Sequence, residues 1–366
     1  MPGLIPQAAP ALRVARFRAR IDTAIDRVLA GPDYILGAEV ARFEQEFAAH
    51  EGAAHAVGVA SGTDALALAL RGLGVGPGDE VIVPALTFAA TALAVMQCGA
   101  APRLVDVDAA TRCLDPRAAA AAITARTVAI VPVHLFGHPA DMTALAAVAE
   151  RHGLALVQDA AQAHGAAWQG QRLGQLGHAA AYSFYPTKNL GAVGDGGAVL
   201  TNDAALAARL RALRNYGSAD RARVSRSIGF NSRLDALQAA VLGVLLPELD
   251  AGNAERRAIA ARYRARLGSN RIGLPPDDDG AVYHQFAITC DDRDGLMRHL
   301  ARQGIGSAVH YAPGLQHHPA FAGCAAAPLP VTDALADCLL SLPVQPEVAG
   351  DAVARIADAV LGFVAA

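Results

Sequence analysis

Lys188 is the only lysine in a chain with 31 lysine and arginine side chains; all the others are arginine. A guanidinium stays charged at any working pH, whereas an amine can be tuned to lose its proton and react. A single lysine in so arginine-rich a chain therefore marks a place where arginine will not serve. Its neighbourhood, Tyr182-Ser183-Phe184-Tyr185-Pro186-Thr187-Lys188-Asn189 and then a glycine-rich run, predicts a loop and not a solvated helix face. Three other segments carry matching chemistry. Ser61-Gly62-Thr63-Asp64 reads as a capping box opening a helix, and the free N–H groups of Gly62 and Thr63 there suit a phosphate. Thr87-Phe88 puts an aromatic ring on a loop, either as core packing or to stack on a flat ring. Asp159 ends an apolar run and is followed by Gln162 and His164; it either caps the next turn or holds a protonated ring nitrogen.

A reactive amine, an acid for a ring nitrogen, a stacking ring and a phosphate cradle are together the set that pyridoxal phosphate requires. Neither GxxxxGK[ST] nor GxGxxG occurs, and Gly194-Asp195-Gly196-Gly197 has the wrong spacing for either, so a P-loop or dinucleotide fold is unsupported.

The elements that must position these residues follow from the hydrophobic pattern. β-rich runs at Glu80–Pro84, Arg103–Asp106, Val128–Val133, Leu154–Gln158, Ala180–Phe184 and Ala198–Thr201 alternate with helical stretches such as Asp64–Arg71, Met142–Arg151 and Ala204–Arg214. That alternation predicts an α/β fold with a mostly parallel central sheet. Ligands of such sheets bind outside the carboxyl ends of the strands, where all four segments fall. Arg13, Arg16, Arg18 and Arg20, with no acid before Asp22, resemble a transit peptide in composition. However, Val14, Phe17, Ile21, Ile25 and Val28 recur at helical spacing and predict an amphipathic helix docked on the body. From Leu234 a helical pattern runs about thirty residues, with breaks expected near Pro247 and Gly252. Strands are expected at Val282–Thr289 and around Ala308–Tyr311, and a closing helix buries Val353, Ile356 and Val360. Residues 1–249 are read as the large domain and 250–366 as a smaller α+β domain.

Composition narrows the class. With 53% apolar and 18% charged residues and a net charge of −3, the 366-residue chain has no bulk attraction to nucleic acid or anionic lipid. No apolar run reaches membrane-spanning length, so no membrane partner is expected. Five scattered cysteines without CxxC spacing fit a reducing, cytoplasmic setting and no disulfide framework. His317-His318 has no accompanying carboxylate, and no metal is expected.

The segments Val59–Leu66, Asp159–Gly165 and Ser183–Leu190, with Gly194–Gly197 and Asn231–Asp235, resemble the DegT/StrS group of nucleotide-sugar aminotransferases, which are fold-type I pyridoxal-phosphate enzymes. The resemblance runs from about Ile35 to Leu342-Pro343. It implies Lys188 as the Schiff-base lysine and proton shuttle, Asp159 on the pyridinium nitrogen, Gln162 beside the ring hydroxyl and Phe88 on the ring face. It further implies Gly62, Thr63 and Ser183 on the phosphate, helped by Asn231 of a neighbouring subunit, hence a homodimer with active sites at the interface. L-glutamate, leaving as 2-oxoglutarate, would convert the cofactor to pyridoxamine 5′-phosphate, and a nucleotide-linked keto-sugar would accept the amine. On the same resemblance, Tyr216, His310 and Tyr311 line the sugar pocket, with Tyr185 and His164 joining them. Seven arginines and one acid, Asp220, lie from Arg209 to Arg233; the run reads by default as a solvated face, with Arg221 or Arg223 the alternative candidate for the nucleotide diphosphate. The wording of the motifs is closest to group members that aminate C3 of a 3-keto-6-deoxyhexose on dTDP or UDP. Amination at C4, an aminocyclitol substrate and a catalytically idle regulatory subunit stand as alternatives.

Overall fold

The computed structural model describes residues 4–218, 224–268, 271–347 and 350–365. Its centre is a seven-stranded sheet built from β1 (His55–Val59), β2 (Glu80–Pro84), β3 (Ala101–Val105), β4 (Thr127–Ile130), β5 (Ala155–Asp159), β8 (Ala179–Ser183) and β9 (Gly197–Thr201). A small hairpin of β6 (Ala167–Trp168) and β7 (Gln171–Arg172) lies between β5 and β8 in the chain. The strand order is β1-β9-β8-β5-β4-β2-β3. Every pairing is parallel except those of β9, which runs antiparallel to both β1 and β8. The sheet is covered on both faces, so its strands read as mostly apolar runs and not as alternating ones; every residue of β2 and β9 is buried.

Local chemistry sets the helix starts. Ser61 Oγ accepts from the backbone N–H of Asp64 (3.1 Å) and caps the helix Gly62–Gly72. That helix is almost wholly buried because it lies between the sheet and the helices Ala90–Gln97 and Ala204–Leu213. On the opposite face Val40, Phe43 and Phe47 pack with Tyr182, Phe184, Leu234 and Leu242. The single N-terminal helix expected from periodicity is divided at Phe17 into Pro10–Arg16 and Arg18–Leu29; it docks here, burying Ile21, Ala24 and Val28 and leaving Val14, Phe17 and Ile25 partly exposed. A third core gathers Ile259, Tyr263, Phe286, Leu296, Leu340, Ile356 and Val360 around a two-stranded antiparallel sheet, β10 (Phe286–Thr289) and β11 (Leu339–Leu342). Residues 313–338 return to the first body, where Leu315, Phe321 and Leu329 join its core.

Three further sequence expectations differ from the structure. Pro247 falls in a short 3-10 turn, Leu246–Glu248, but Gly252 lies inside an unbroken helix, Leu249–Leu267. A single glycine costs a helix only about 1 kcal/mol, which packing overrides. The strand expected over Val282–Thr289 is confined to Phe286–Thr289. Upstream, Val282 N–H donates to Gly137 O (2.9 Å), Gln285 N–H donates to Phe136 O (3.2 Å) and Tyr283 has φ +44°, so this stretch bends around another loop. The strand expected near Ala308–Tyr311 is one bridge, Ala308 to Ser341, after which the chain turns to the cavity described next. No described helix is long and apolar enough to cross a membrane.

Candidate active site

A cavity of about 490 Å³ opens at the carboxyl ends of the parallel strands, walled on its far side by the chain around His284 and His310. The topology explains its contents. β1 feeds Ser61, Gly62 and Thr63 into it, β2 feeds Thr87 and Phe88, β5 feeds Asp159 and Gln162, and β8 feeds Ser183 and the turn carrying Lys188.

Asp159 is only 7% exposed. Its Oδ2 accepts from Thr91 Oγ1 (2.8 Å) and its Oδ1 from the N–H of Ala161 (3.2 Å). Burial raises the carboxyl above its ordinary value, while Thr91, Ala161 and the facing Lys188 oppose that shift. Lys188 is a half-buried side chain whose amine looks into the cavity. Desolvation lowers its pKa to about 8, against the opposing pull of Asp159. The site thus joins a carboxylate reluctant to ionise without a cation to an amine ready to give up its proton.

Gly62 and Ser183 form a close cradle. A Cβ on residue 62 would lie 2.5 Å from Ser183 Cβ, so only glycine allows this approach. The adjacent N-terminus of the helix Gly62–Gly72 presents free N–H groups, a setting that favours an anion. Phe88 is 58% exposed, its ring 5.6 Å from that of Tyr311. Gln162 Oε1 accepts from Phe136 N–H (2.6 Å), which turns its Nε2 to donate to Tyr311 Oη (2.9 Å). Burial pushes the Tyr311 hydroxyl up to about 12. His310 bonds through Nδ1 with Ser341 Oγ (2.9 Å), and burial lowers it to about 4, so it is neutral at pH 7. Tyr185 stands exposed on the rim.

The structure therefore brings together Lys188, Asp159, Gly62, Thr63, Phe88, Gln162, Ser183, Tyr185, His310 and Tyr311. It does not bring His164 to them. That ring is fully buried behind the sheet's end, 5.3 Å from the Tyr182 ring and 5.9 Å from Phe184, because the turn after β5 aims it into the aromatic layer. This corrects its expected place in the sugar pocket. Tyr216 and Asn231 lie outside this chain's cavity. Tyr216 is exposed under the Arg233 guanidinium (5.3 Å), and Asn231 is exposed beside Asn215. Arg221 and Arg223 lie outside the described residues. Sequence reasoning missed Thr91, His284, Gln285 and Asp195. For Thr91 the signal was its spacing of four from Thr87, to which its hydroxyl bonds (3.0 Å). His284 gave only a histidine within an apolar run.

The DegT/DnrJ/EryC1/StrS aminotransferase family model matches residues 16–361. The chain is 51% identical over 350 residues to a Streptomyces venezuelae protein named dTDP-3-amino-3,4,6-trideoxy-α-D-glucose transaminase, covering 94% of this chain and 92% of that one. It is 46% identical to an Acidithiobacillus ferrooxidans UDP-N-acetyl-3-dehydro-α-D-glucosamine 3-aminotransferase, covering 97% of each. Among solved structures, S. venezuelae DesV in complex with a ketimine intermediate superposes with a TM-score of 0.96 at 48% identity, covering 99% of this chain and 98% of that one.

Proposed function

The chain belongs to the DegT/DnrJ/EryC1/StrS aminotransferase family, and we propose that it transfers the amino group of L-glutamate to C3 of a 3-keto-6-deoxyhexose carried on dTDP or UDP. The family's pyridoxal-phosphate transamination of nucleotide-linked keto-sugars is the chemistry this site performs. The observation that carries the reading is the chain's only lysine facing a buried acid across a cavity with a glycine-lined anion cradle. C3 and the nucleotide are drawn from the names of the relatives, both of which place the amine at position 3.

The residues fit the cofactor. Lys188 would hold it covalently, Asp159 would meet its ring nitrogen, Gln162 would lie beside its hydroxyl and Phe88 on its face, with Gly62, Thr63 and Ser183 on its phosphate. Bound there, pyridoxal phosphate supplies an electron-withdrawing ring that makes the α-proton of an amino acid removable. The protein's own groups do the rest. Asp159, held by Thr91 and Ala161, gains in the ring nitrogen the cationic partner its burial otherwise denies it. Lys188 Nζ, low in pKa, takes the α-proton and returns it, a general-base role worth about 10²–10⁴-fold. Glutamate gives up its amine and takes its keto oxygen from one water to leave as 2-oxoglutarate; the amine is delivered to the sugar carbonyl, whose oxygen departs as one water, so the overall exchange consumes none. Tyr185, His310 and Tyr311 are placed to orient the sugar, and neutral His310 can donate or accept a hydrogen bond there. An idle relative would have no need to keep an activated amine.

We take the active form to be a homodimer in which Asn231 and Tyr216 complete the partner's cavity. Their exposure away from this chain's own site supports it. We divide the chain after residue 249, where the helix Leu249–Leu267 enters the third core, and assign it to the cytoplasm, a setting the five free cysteines suit. The test is direct. Purified protein with pyridoxal phosphate should absorb in the visible, bleach with L-glutamate and release 2-oxoglutarate. It should then convert dTDP-3-keto-6-deoxyglucose to the 3-amino sugar. Bleaching without amination of any 3-keto substrate, but with amination of a 4-keto one, would overturn the assigned carbon.

A further inference from the structure

The turn that carries Lys188 is held by a side chain 175 residues away in sequence. Arg13, in the helix Pro10–Arg16, reaches into the turn with both terminal nitrogens. Nη1 donates to the carbonyls of Lys188 (2.7 Å) and Asn189 (3.2 Å), and Nη2 to those of Pro186 (2.6 Å) and Gly191 (3.3 Å). Gly191 makes room for it, since a Cβ there would come within 2.6 Å of Arg13 Nη2. Carbonyls converging on one point repel one another unless a cation with several donors sits among them. A planar guanidinium with fixed N–H directions meets that need as no other side chain does. The other arginines of the two N-terminal helices are spent at the surface, Arg16 on Glu255, Arg18 on Asp22, Arg20 on Glu248 and Arg27 on Glu39. The same N-terminal strap also touches the opposite cavity wall, where Gln7 Nε2 donates to Gln285 Oε1 (2.6 Å). From the turn's far side, Asn189 Nδ2 donates to Asn253 Oδ1 (2.9 Å) and Val282 O (3.0 Å).

We propose that Arg13 is the positioning residue of the Lys188 turn: its guanidinium, seated among four carbonyls, keeps the turn closed so that the Lys188 amine stays in the dry part of the cavity opposite Asp159. The role rests on Lys188 being the reactive amine, and its test is read on that amine and not on turnover. A wrong substrate and a wrong role for Arg13 therefore give different results. Besides Asp159, the groups whose charge would bear on the amine are His164, His284 and His310, none of which is altered in the test.

The full-length chain, freed of cofactor, is labelled with trace acetic anhydride across a pH series, and the Lys188 peptide is separated from the amino-terminal one. With a single lysine, the pH of half-maximal labelling belongs to Lys188 alone. In the wild type it should fall near 8. Arg13→Ala should raise it by about one pH unit towards the ordinary lysine value, as the turn opens to water. Arg16→Ala, on the same helix, should leave it unchanged, and guanidinium ion should restore it in Arg13→Ala. Circular dichroism reports folding, and Arg13→Gln replaces Arg13→Ala if the latter unfolds. An unmoved midpoint in a folded Arg13 variant overturns this role alone. A wild-type midpoint already at the ordinary value overturns both this role and the reading of Lys188.

Discussion

Replacing Lys188 by methionine should make the cofactor-free protein more stable while abolishing its chemistry. The two side chains have similar length, but only lysine brings a charge into the cavity. Desolvation lowers the Lys188 pKa from 10.5 to about 8. At about 1.4 kcal/mol per unit, holding the ammonium form in the folded chain costs about 3 kcal/mol. The side chain is partly open to the cavity, and Asp159 loses a favourable neighbour on its removal, so the net gain from Lys188→Met is about 1–3 kcal/mol. The pH dependence fixes the cause. Below pH 8 both folded and unfolded chains carry the proton and the cost is present in full. Between about pH 8 and pH 10.5 the unfolded chain holds a proton that the folded chain has shed, so wild-type stability rises with pH and the advantage of the variant shrinks to nothing. Urea unfolding of both proteins, freed of cofactor, from neutral pH to above pH 10 measures this. A variant less stable than wild type at pH 7, or a gain that does not change with pH, would refute the argument that burial activates this amine. The same burial serves catalysis: near pH 7.5 about a quarter of Lys188 is free base, against about a thousandth for an ordinary lysine.

Gly62→Ala should weaken pyridoxal phosphate binding by about tenfold or more, because the new methyl collides with Ser183 where the phosphate cradle forms. Gly76→Ala, whose methyl meets open space, is the control, and equal dissociation constants by equilibrium dialysis would contradict the cradle. Thr91→Val removes a hydrogen bond that favours the Asp159 carboxylate. The acidic limb of the pH profile of the glutamate half-reaction should therefore move up by about half to one unit; an unmoved limb would show that Thr91 does not tune the acid. Arg214→Ala removes the ion-pair partner of buried Glu44, leaving it Gly58 N–H (2.7 Å), and should cost about 3–5 kcal/mol in urea unfolding; a loss under about 1 kcal/mol would show that this pair does not hold the fold.

What the sequence made legible was chemistry that sits at the end of a strand. Asp159, Ser183 and Gly62 each follow an apolar run by one to three residues, and sheet topology delivers all such positions to one edge, so the expected neighbours met without knowledge of the side-chain packing. Illegible were relations decided by the register of a turn or by distant packing. Gln162 and His164 stand two residues apart in one turn, yet Gln162 enters the cavity and His164 the aromatic layer beside Phe47 and Tyr182. Nothing in their composition separates them. Arg13 had the profile of any arginine on an amphipathic helix, and only the docking of that helix shows which one meets the Lys188 turn. His284 reaches the cavity because Val282 and Gln285 bond to the loop at Phe136 and Gly137, a tie between segments more than a hundred residues apart.

The histidines around the site explain how the amine is activated. Two histidines, His284 and His310, line the cavity with Lys188 and a third, His164, lies buried behind it; a cationic imidazole at any of them would lower the Lys188 pKa through repulsion. Burial instead keeps all three neutral: His310 is lowered to about 4, His164 to about 3 and His284 well below its ordinary value. Their bodies exclude water without adding charge, and desolvation is accordingly the largest influence on Lys188. A site that activated its amine by positive neighbours would also repel a protonated cofactor ring and loosen its hold on Asp159. Activation by drying avoids that conflict, because it leaves the Asp159 carboxylate unopposed for the ring nitrogen. It also demands that the turn bearing Lys188 stay closed, and that is the task the four carbonyl contacts of Arg13 are built to perform.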